Sequence, residues 1–501
     1  ASVVDDETVR QLSVASGKST VSETEYLGLF GELEGTVTGL TLRDPVLTFQ
    51  ASSAQENMDA AGTYAQLKGV GILAGRSEGV IKDTEIITST GRNASQTEKN
   101  IEVSLSSAAV SADGNTQIAA VGGVVGILSD TDNNGNLTAA KSAKVENVTM
   151  NGAVDVKLPS VNVPADADDY ENYALGAGGI AGYAKLESKN QKSVILSCQN
   201  HAGVSGNYMT GGIVGMIDGL ADSYEQATWS SNAAVKDCSN NGLILCTAET
   251  AASVSGNYFG GIAGYAYRTL IYNSTSASGR ASGFSYSKDK KDLLKGQYVG
   301  GIVGYGNHSL MANCGTESNG YILGSKYVGG IAGGLGGNTS DAIQAHQQES
   351  VSVTTNRSYV VGNEYVGGIV GHNTEGVVLS NCINNGVVAG TEKANGTGGR
   401  YVGGIVGYNA NGATIRDCAS YLSDYGNSIF NMIVNTWDAR SDYVGGIAGY
   451  NNGKIEFSDE SQAIMVKSVS SIVVGDNYVG GIAGFNDVKG VLDVNYTLIG
   501  G

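Results

Sequence analysis

Proline, histidine and long hydrophobic runs are scarce in this sequence of 501 residues. Only 3 Pro accompany 74 Gly, and Gly does not recur at every third position, so a collagen triple helix is excluded. No apolar run reaches the roughly 18 residues of a transmembrane helix, so we expect no direct membrane insertion. Hydrophobic residues still make up 41% of the chain, which is enough for a packed core and argues against general disorder.

Basic residues are also in short supply. Lys and Arg number 30 against 48 Asp and Glu, which gives a net charge of −18. Such a chain repels phosphate backbones and anionic bilayers, so we expect no nucleic-acid partner. The chain begins at Ala1 without Met and has no basic region leading into an apolar stretch. We therefore expect that a signal has been removed or that the sequence is a segment of a longer protein, and we favour the segment.

One phrase, Tyr-Val-Gly-Gly-Ile-Ala-Gly-Tyr, recurs along the chain. It is fully legible at 298–305, 327–333, 365–371, 401–408, 443–450 and 478–484. Variants occur at 121–126, 177–183, 210–215 and 259–265, and two worn copies at 26–31 and 69–74. A unit of this size cannot bury its own apolar face and must stack on the next one.

The shortest repeat, 29 residues from Gly301 to Gly330, holds three extended pieces. These are the phrase itself, an apolar-x-Asn/Asp-small piece such as Leu379–Cys382, and a Gly-led apolar stretch such as Gly386–Gly390. Pieces rich in Val, Ile and Tyr and separated by Asn-Gly turns predict β-structure. Their constant order predicts an all-β fold, a right-handed parallel β-helix or β-solenoid of about twelve coils with loop insertions.

This prediction divides the chain into an N-terminal segment or cap at 1–25 and a solenoid at 26–501, with degenerate repeats over 26–120 and regular ones over 121–484. The Ile of the phrase is replaced only by Val or Leu, which indicates an interior row, as follows: Ile302, Ile331, Ile369, Ile405 and Ile447. The flanking Gly residues indicate close backbone approach or bulges. The Tyr residues are open to two interpretations, a half-buried stacking ladder or an exposed aromatic surface for sugars.

Five of the six Cys residues hold one repeat position: Cys198, Cys238, Cys314, Cys382 and Cys418. Other units carry Thr84, Val148 or Ser274 there, so the position favours a small buried side chain. We predict an unpaired ladder of thiols, because side chains stacked in register suit the disulfide torsion poorly. A bridge between neighbouring coils, Cys198–Cys238 or Cys382–Cys418, is the alternative.

Asp130, Asp132 and Asn134 match the opening of a calcium loop, but Lys141 stands where the bidentate Glu belongs. A solvent-exposed turn rich in Asp and Asn explains the same residues, so Ca²⁺ is a weak candidate ligand. No other cofactor is indicated. Motifs for zinc peptidases, serine hydrolases and phosphate-binding loops are absent, and no catalytic residue is assigned.

The insertion at 420–442 is the strongest candidate for binding. Aromatic residues dominate binding hot spots, and this segment concentrates Tyr421, Tyr425, Phe430 and Trp437. The competing interpretation is that these side chains pack the insertion against its own coil.

The order Val-Gly-Gly-Ile-Val-Gly, then Asn and Gly, then Asn-Cys, as in 366–382, resembles the GLUG repeat of large bacterial surface proteins. Those proteins include adhesins and the non-catalytic regions of metallopeptidase-type IgA1 proteases. The resemblance covers about 26–484. It implies an extracellular β-solenoid that serves as a stalk or a presenting region, and it carries no catalytic residue onto this chain.

We therefore predict a non-enzymatic scaffold on the bacterial surface or secreted, an adhesin or stalk region. Its expected partners are a host glycan or protein, or neighbouring domains or subunits of one surface assembly. Two alternatives remain. One is a carbohydrate-active enzyme on a parallel β-helix, against which the acidic charge argues because a polyuronate lyase needs a basic cleft. The other is a subunit of an extracellular filament that assembles end to end.

Overall fold

The structure is a computed structural model. It describes residues 13–14, 26–51, 69–87, 101–105, 117–130, 143–157, 173–186, 194–219, 231, 233–246, 257–277, 296–318, 320–337, 349–352, 354–391, 400–420, 432–433, 441–457 and 472–493. The predicted cap at 1–25 lies outside these ranges apart from the strand Ser13–Val14, so the domain boundary at residue 25 stays a prediction.

The chain forms two compact units. The first comprises Ala1–Leu220, Ser231–Asn257 and Gly261–Ala266, and the second comprises Ala221–Ser230, Tyr258–Gly260 and Tyr267–Gly501. Each unit is a stack of coils whose strands pair in parallel with the equivalent strands of the neighbouring coils. Among the described residues, the strands that carry the phrase number twelve, which confirms a β-solenoid of about twelve coils. Its right-handedness stays a prediction.

The phrase folds as two strands joined by a bend at Gly-Ile, and not as the single extended piece predicted from the sequence. The first strand of each coil is called row 1. In the first unit row 1 contains Tyr26–Leu27, Gly69–Gly71, Gln117–Gly122, Tyr173–Gly178 and Tyr208–Gly211. In the second unit it contains Gln297–Gly300, Lys326–Gly329, Glu364–Gly367, Arg400–Gly403, Asp442–Gly445 and Asn477–Gly480.

The strand after the bend is called row 2. In the first unit it contains Phe30–Leu33, Ala74–Ser77, Val125–Ser129, Ala181–Lys185 and Val214–Asp218. In the second unit it contains Val303–Asn307, Ala332–Gly336, Val370–Asn373, Val406–Asn409, Ala448–Asn451 and Ala483–Asn486. One further coil, with strands Asn257–Gly260 and Ala263–Tyr267, contains the division between the units.

Row 3 is the side that carries the apolar-x-Asn/Asp-small piece. In the first unit it contains Thr36–Thr38, Thr41–Arg43, Val80–Ile87, Lys144–Met150, Ile195–Leu196, Gln199–Asn200, Val235–Lys236 and Ser239–Asn240. In the second it contains Leu270–Tyr272, Thr275–Ser276, Leu310–Ala312, Gly315–Thr316, Glu349–Ser352, Thr355–Asn356, Val378–Ser380, Ile383–Asn384, Thr414–Arg416, Ala419–Ser420, Lys454–Glu456 and Val491–Asp493.

Row 4 corresponds to the Gly-led stretch. In the first unit it contains Ser13–Val14, Val46–Ala51, Ile101–Leu105, Ala153–Lys157, Gly203–Gly206 and Ile244–Cys246. In the second it contains Tyr321–Leu323, Tyr359–Gly362 and Val388–Gly390, together with the separate pair Met432–Ile433 and Ile472–Val473.

The Asn or Asp of row 3 forms a corner. Asn313, Asn381 and Asp417 have φ angles of 54°, 51° and 51°, so each lies in the left-handed region that Asn and Asp tolerate better than most residues. This corner divides row 3 into two short halves. The preceding apolar residue then points inward, where Leu379 and Ile415 are buried.

The Ile residues of the phrase form one interior row, as the sequence predicts. Ile302, Ile331, Ile369, Ile405 and Ile447 are fully buried. Each backbone N–H in this series donates to the carbonyl of the next Ile, as in Ile331 N to Ile369 O at 2.9 Å, which fixes the coils in register. A second interior cluster forms from rows 1 and 4 of the second unit, as follows: Ile322, Val328, Val360, Val366, Val388, Val402 and Val444.

The Gly-Gly pair reflects close backbone approach, one of the two explanations left open by the sequence. A Cβ on Gly300 would overlap the carbonyl oxygen of Val303 across the bend of its own coil. A Cβ on Gly301 would overlap the carbonyl oxygen of Gly330 on the next coil. The first Gly therefore makes the bend possible, and the second lets the coils approach to strand-pairing distance.

Candidate functional site: an aromatic face and two amide ladders

The phrase Tyr residues of the second unit form a continuous stack, here called the tyrosine ladder. Its members are Tyr258, Tyr298, Tyr327, Tyr365, Tyr401, Tyr443 and Tyr478. Successive ring centroids lie 4.4 to 5.2 Å apart and the rings are stacked. The coil spacing of a parallel sheet sets this distance, because each Tyr occupies the same position on its coil.

The backbone of the ladder residues is unusual. Tyr298, Tyr327, Tyr365 and Tyr401 have φ angles from 53° to 57°, in a region that bulky side chains rarely adopt. A left-handed conformation costs about 1–2 kcal/mol per residue. Stacking contributes roughly 0.5–1.5 kcal/mol per aromatic pair, and each interior Tyr has two neighbours, so stacking offsets the strain.

A second aromatic row packs edge-on against the tyrosine ladder. It consists of Tyr305, His372, Tyr408, Tyr450 and Phe485, at the equivalent position of row 2. Tyr401 and Tyr408 meet at 5.7 Å with an angle of 81° between their planes. Gly334 lies between Tyr305 and His372 in this row, where a Cβ would meet the rings of Tyr298 and Tyr305 at 2.9 Å.

These two rows together form the aromatic face. Its rings are half-buried, and the faces of the interior rings are covered by their neighbours. The structure therefore supports the stacking interpretation of the Tyr residues over an exposed sugar platform. Tyr478, at the end of the ladder, is different: its side chain is 55% exposed and one ring neighbour, Tyr443, is stacked on it at 4.7 Å.

Burial alters the titration of the aromatic face. It raises the pKa of Tyr365 to about 12, and the neighbouring Tyr327 and Tyr401 add to the effect. Burial also lowers the pKa of His372 to about 4, with a smaller contribution from the positive charge of Lys326. His372 is therefore neutral at pH 7. The Lys326 ammonium lies 4.6 Å from the ring centroid of Tyr327, a cation–π contact.

At the C-terminal end of the aromatic face, one phenol is bonded to a carboxylate. Tyr450 Oη donates to Asp487 Oδ2 at 2.5 Å. Burial and this hydrogen bond raise the pKa of Tyr450, while the hydrogen bonds from Tyr450 and from Val488 N–H hold the pKa of Asp487 below its usual value.

Buried amides form two ladders in the second unit, and the sequence analysis missed both. In the row-3 amide ladder, Thr316 donates to Asn356, Asn356 to Asn384 at 2.8 Å and Asn384 to Ser420 at 3.1 Å. In the row-2 amide ladder, Asn373 donates to Asn409, Asn409 to Asn451 and Asn451 to Asn486, at 3.0, 2.8 and 2.7 Å. The signal was the recurrence of Asn two residues after the Cys position and directly after Gly-Tyr.

Each row-3 Asn also closes a turn in its own coil. Asn384 Oδ1 accepts from Gly386 N–H and Asn384 Nδ2 donates to Gly386 O, both at 3.1 Å. Asn200 in the first unit makes the same two bonds with Ala202 and donates to Asn240 at 2.8 Å. The amide thus satisfies buried backbone groups at a chain corner, as buried polar groups require.

The Cys position is part of the same side of the coil. The six Cys residues are free thiols in the structure, and five of them are buried. Cys314 Sγ donates to Ala312 O at 3.4 Å, two residues earlier in the chain, as Ser274 Oγ does to Tyr272 O at 3.0 Å and Thr84 Oγ1 to Lys82 O at 3.1 Å. The position therefore favours a small donor. Burial raises the pKa of the Cys314 thiol to about 12, so it is unreactive at neutral pH.

The remaining predicted site residues lie mostly outside the described ranges. Asp130 is buried, whereas Asp132 and Asn134 are not described, so the structure does not bring the calcium candidates together. The four aromatic residues of the 420–442 insertion, Tyr421, Tyr425, Phe430 and Trp437, are also outside the described part of the chain.

Two further searches concern the described residues alone. Within these ranges, His, Cys, Asp and Glu side chains form no group of three or more placed to hold a metal ion. No helix in the described part of the chain is both long and apolar enough to cross a bilayer.

The geometry so far defines a repeat protein of the parallel β-solenoid class. Comparison with known families gives a match to the GLUG motif over residues 398–420, the coil that contains Tyr401, Ile405 and Cys418. This chain therefore carries GLUG repeats, as its sequence phrase indicates. No curated protein and no solved structure matches it.

Proposed function

We propose that this chain is a non-catalytic scaffold of the bacterial cell surface, a stalk or adhesin region that holds its insertions or neighbouring domains away from the cell. The observation that carries the proposal is how the polar and aromatic side chains of the coils are used. The inward Asn, Ser, Thr and Cys residues bind backbone groups or the next coil, and the tyrosines bind one another.

The GLUG motif supports this proposal, because it is a repeat motif and not a catalytic one. Insertions leave the coils between strands, for example after Gly336, Ser420 and Phe457, and such loops are free to vary while the coils are constrained by stacking. The acidic charge of −18 fits an exposed location and disfavours nucleic acid. We place recognition of a host glycan or protein, if it resides in this chain, in the insertions.

Deletion of an insertion tests the binding part of the proposal. Replacing 421–440 by a short Gly-Ser linker removes Tyr421, Tyr425, Phe430 and Trp437 and joins two coil positions, Ser420 and Ser441, that are both buried. The purified chain and this variant are screened on a glycan array and a panel of extracellular-matrix proteins. We expect binding by the parent chain and its loss in the variant.

The matched control deletes 338–348, an insertion without aromatic residues, and is expected to keep full binding. Circular dichroism must give the same β signal for all three proteins. Binding that survives removal of 421–440 would place recognition elsewhere on the chain. Release of products from pectins, host glycans or immunoglobulin by the purified chain would overturn the non-enzymatic assignment.

The location is tested on the producing bacterium. An antibody raised against the chain is expected to label intact cells, and brief protease treatment of those cells is expected to remove the label. Label that appears only after permeabilisation would contradict a surface role.

A further inference from the structure

The last coil of the second unit exposes apolar side chains that equivalent positions bury. Val479 in row 1 is 44% exposed, whereas Val444 and Val402 are fully buried. Leu492 in row 3 is 39% exposed, whereas Ile455, its partner on the preceding coil, is fully buried. Tyr478, Phe485 and Val491 are exposed as well. The sequence of this coil is that of an interior coil, although its outer side faces solvent in the isolated chain.

Gly481 gives the sharper indication. In interior coils the second Gly of the phrase has a steric reason: a Cβ on Gly404 would overlap Gly446 O of the next coil, and one on Gly368 would overlap Gly404 O. A Cβ on Gly481 would meet no atom within 4 Å. Its first Gly neighbour, Gly480, is still needed, because a Cβ there would overlap Ala483 O across the bend. Glycine at 481 has a steric purpose only when a further coil lies on it.

The strands of this coil also stand at the edges of their sheets. Asn477–Gly480, Ala483–Asn486 and Val491–Asp493 each pair with the preceding coil and close the order of strands in their rows. An edge strand presents backbone N–H and C=O groups that template the pairing of another strand. The surface therefore offers three parallel edges and an open ring face at Tyr478.

The first coil of the first unit has matching features. Tyr26-Leu27-Gly28 holds the same phrase positions as Tyr478-Val479-Gly480, and Tyr26–Leu27 and Phe30–Leu33 begin the sheets of rows 1 and 2. Phe30 is 38% exposed. Row 4 of this coil is already covered, since Ser13–Val14 pairs with Val46 and Leu47. The first coil thus has edges in rows 1 and 2, and the last coil presents edges in rows 1, 2 and 3.

We propose that the last coil is a docking surface for the first coil of a second copy of this chain, joined head to tail by parallel strand pairing in the solenoid rows. The inference goes beyond the scaffold role and does not depend on it. Because the two surfaces differ, the contact is heterologous, and its repetition builds open-ended filaments instead of a closed dimer.

Gly481→Ala is the decisive variant. The new methyl group meets nothing in the isolated chain, so the fold and its urea midpoint are expected to stay unchanged. In the docked state the methyl group would overlap a backbone carbonyl, as it would at Gly404, and association should weaken by about tenfold or more. Sedimentation velocity over about 1–100 µM protein measures both the affinity and the sizes of the species formed.

Two matched variants serve as controls. Gly337→Ala also adds a methyl group with no neighbour within 4 Å, but away from the last coil, and should associate like the parent chain. Gly404→Ala should lower the urea midpoint, which verifies that the overlap matters inside the stack. A parent chain that stays monomeric throughout, a Gly481→Ala variant that associates normally, or a series that stops at dimers would each overturn the proposal.

Discussion

Acid should destabilise this protein through His372, and replacement of that residue by Tyr should remove the effect. The ring lies 5.4 Å from Tyr327, 5.8 Å from Tyr365 and 5.4 Å from Tyr408, so protonation would place a charge among half-buried aromatic rings. Its pKa in the folded chain is about 4, below the ordinary value of 6.5. A lowered histidine pKa means that stability is intact above pH 6.5 and is lost as the pH falls toward 4.

The magnitude follows from these two values. At pH 5 an unfolded histidine is mostly protonated while the folded one is mostly neutral, which costs about 2 kcal/mol, and the loss approaches about 3 kcal/mol below pH 4. Tyr is the natural substitute, since Tyr408 and Tyr450 hold the same position on the next two coils. It keeps the aromatic row and does not titrate in this range.

The assay is urea unfolding of the parent chain and His372→Tyr at pH 7.5, 6 and 5, followed by circular dichroism. The carboxylates titrate in both proteins, so their contribution cancels in the difference between the two midpoints. The stability difference should shift in favour of the variant by about 2 kcal/mol between pH 7.5 and pH 5. Parallel pH profiles for the two proteins would refute the placement of His372 inside the aromatic face.

Two other substitutions test the ladders. Cys314→Ser should cost no more than about 1 kcal/mol in urea unfolding, because Ser274 makes the equivalent bond to its own chain, and alkylation of the unfolded, unreduced protein should label all six thiols; protection of Cys198 and Cys238 would instead indicate a disulfide. Asn384→Leu should cost about 3 kcal/mol, because it leaves the buried amide of Asn356 and the N–H of Gly386 without their acceptor; a loss below about 1 kcal/mol would show that the row-3 amide ladder adds little to stability.

The fold was predictable from the sequence because the repeat compares equivalent positions within one chain. Ile302 and its equivalents accept only aliphatic substitutes, which is the pattern of an interior row. The bend inside the phrase was missed, since a strand and two strands joined at Gly-Ile have similar local composition. The role of the Gly pair depends on distances between coils, which no local pattern contains.

The candidate site was less predictable. The Tyr positions were recognised, but whether their rings stack or face solvent depends on the coil spacing and on a left-handed backbone at residues such as Tyr365. The buried amides were overlooked because Asn in a Gly-rich chain reads as a turn residue, although Asn384 does close a turn as well as bind Asn356. The predicted aromatic cluster around Trp437 lies outside the described residues and stays a prediction.

The amide ladders also constrain how such a chain can change in length. Asn356 binds Asn384, and Asn409 binds Asn451, so every rung joins one position to its equivalent on the next coil. Gaining or losing a whole coil preserves this correspondence, because the new neighbours are again equivalent residues. A single inserted residue within a row would turn the inward side chains outward and break the amide contacts together. The whole coil is therefore the smallest step by which this architecture can be extended or shortened without loss.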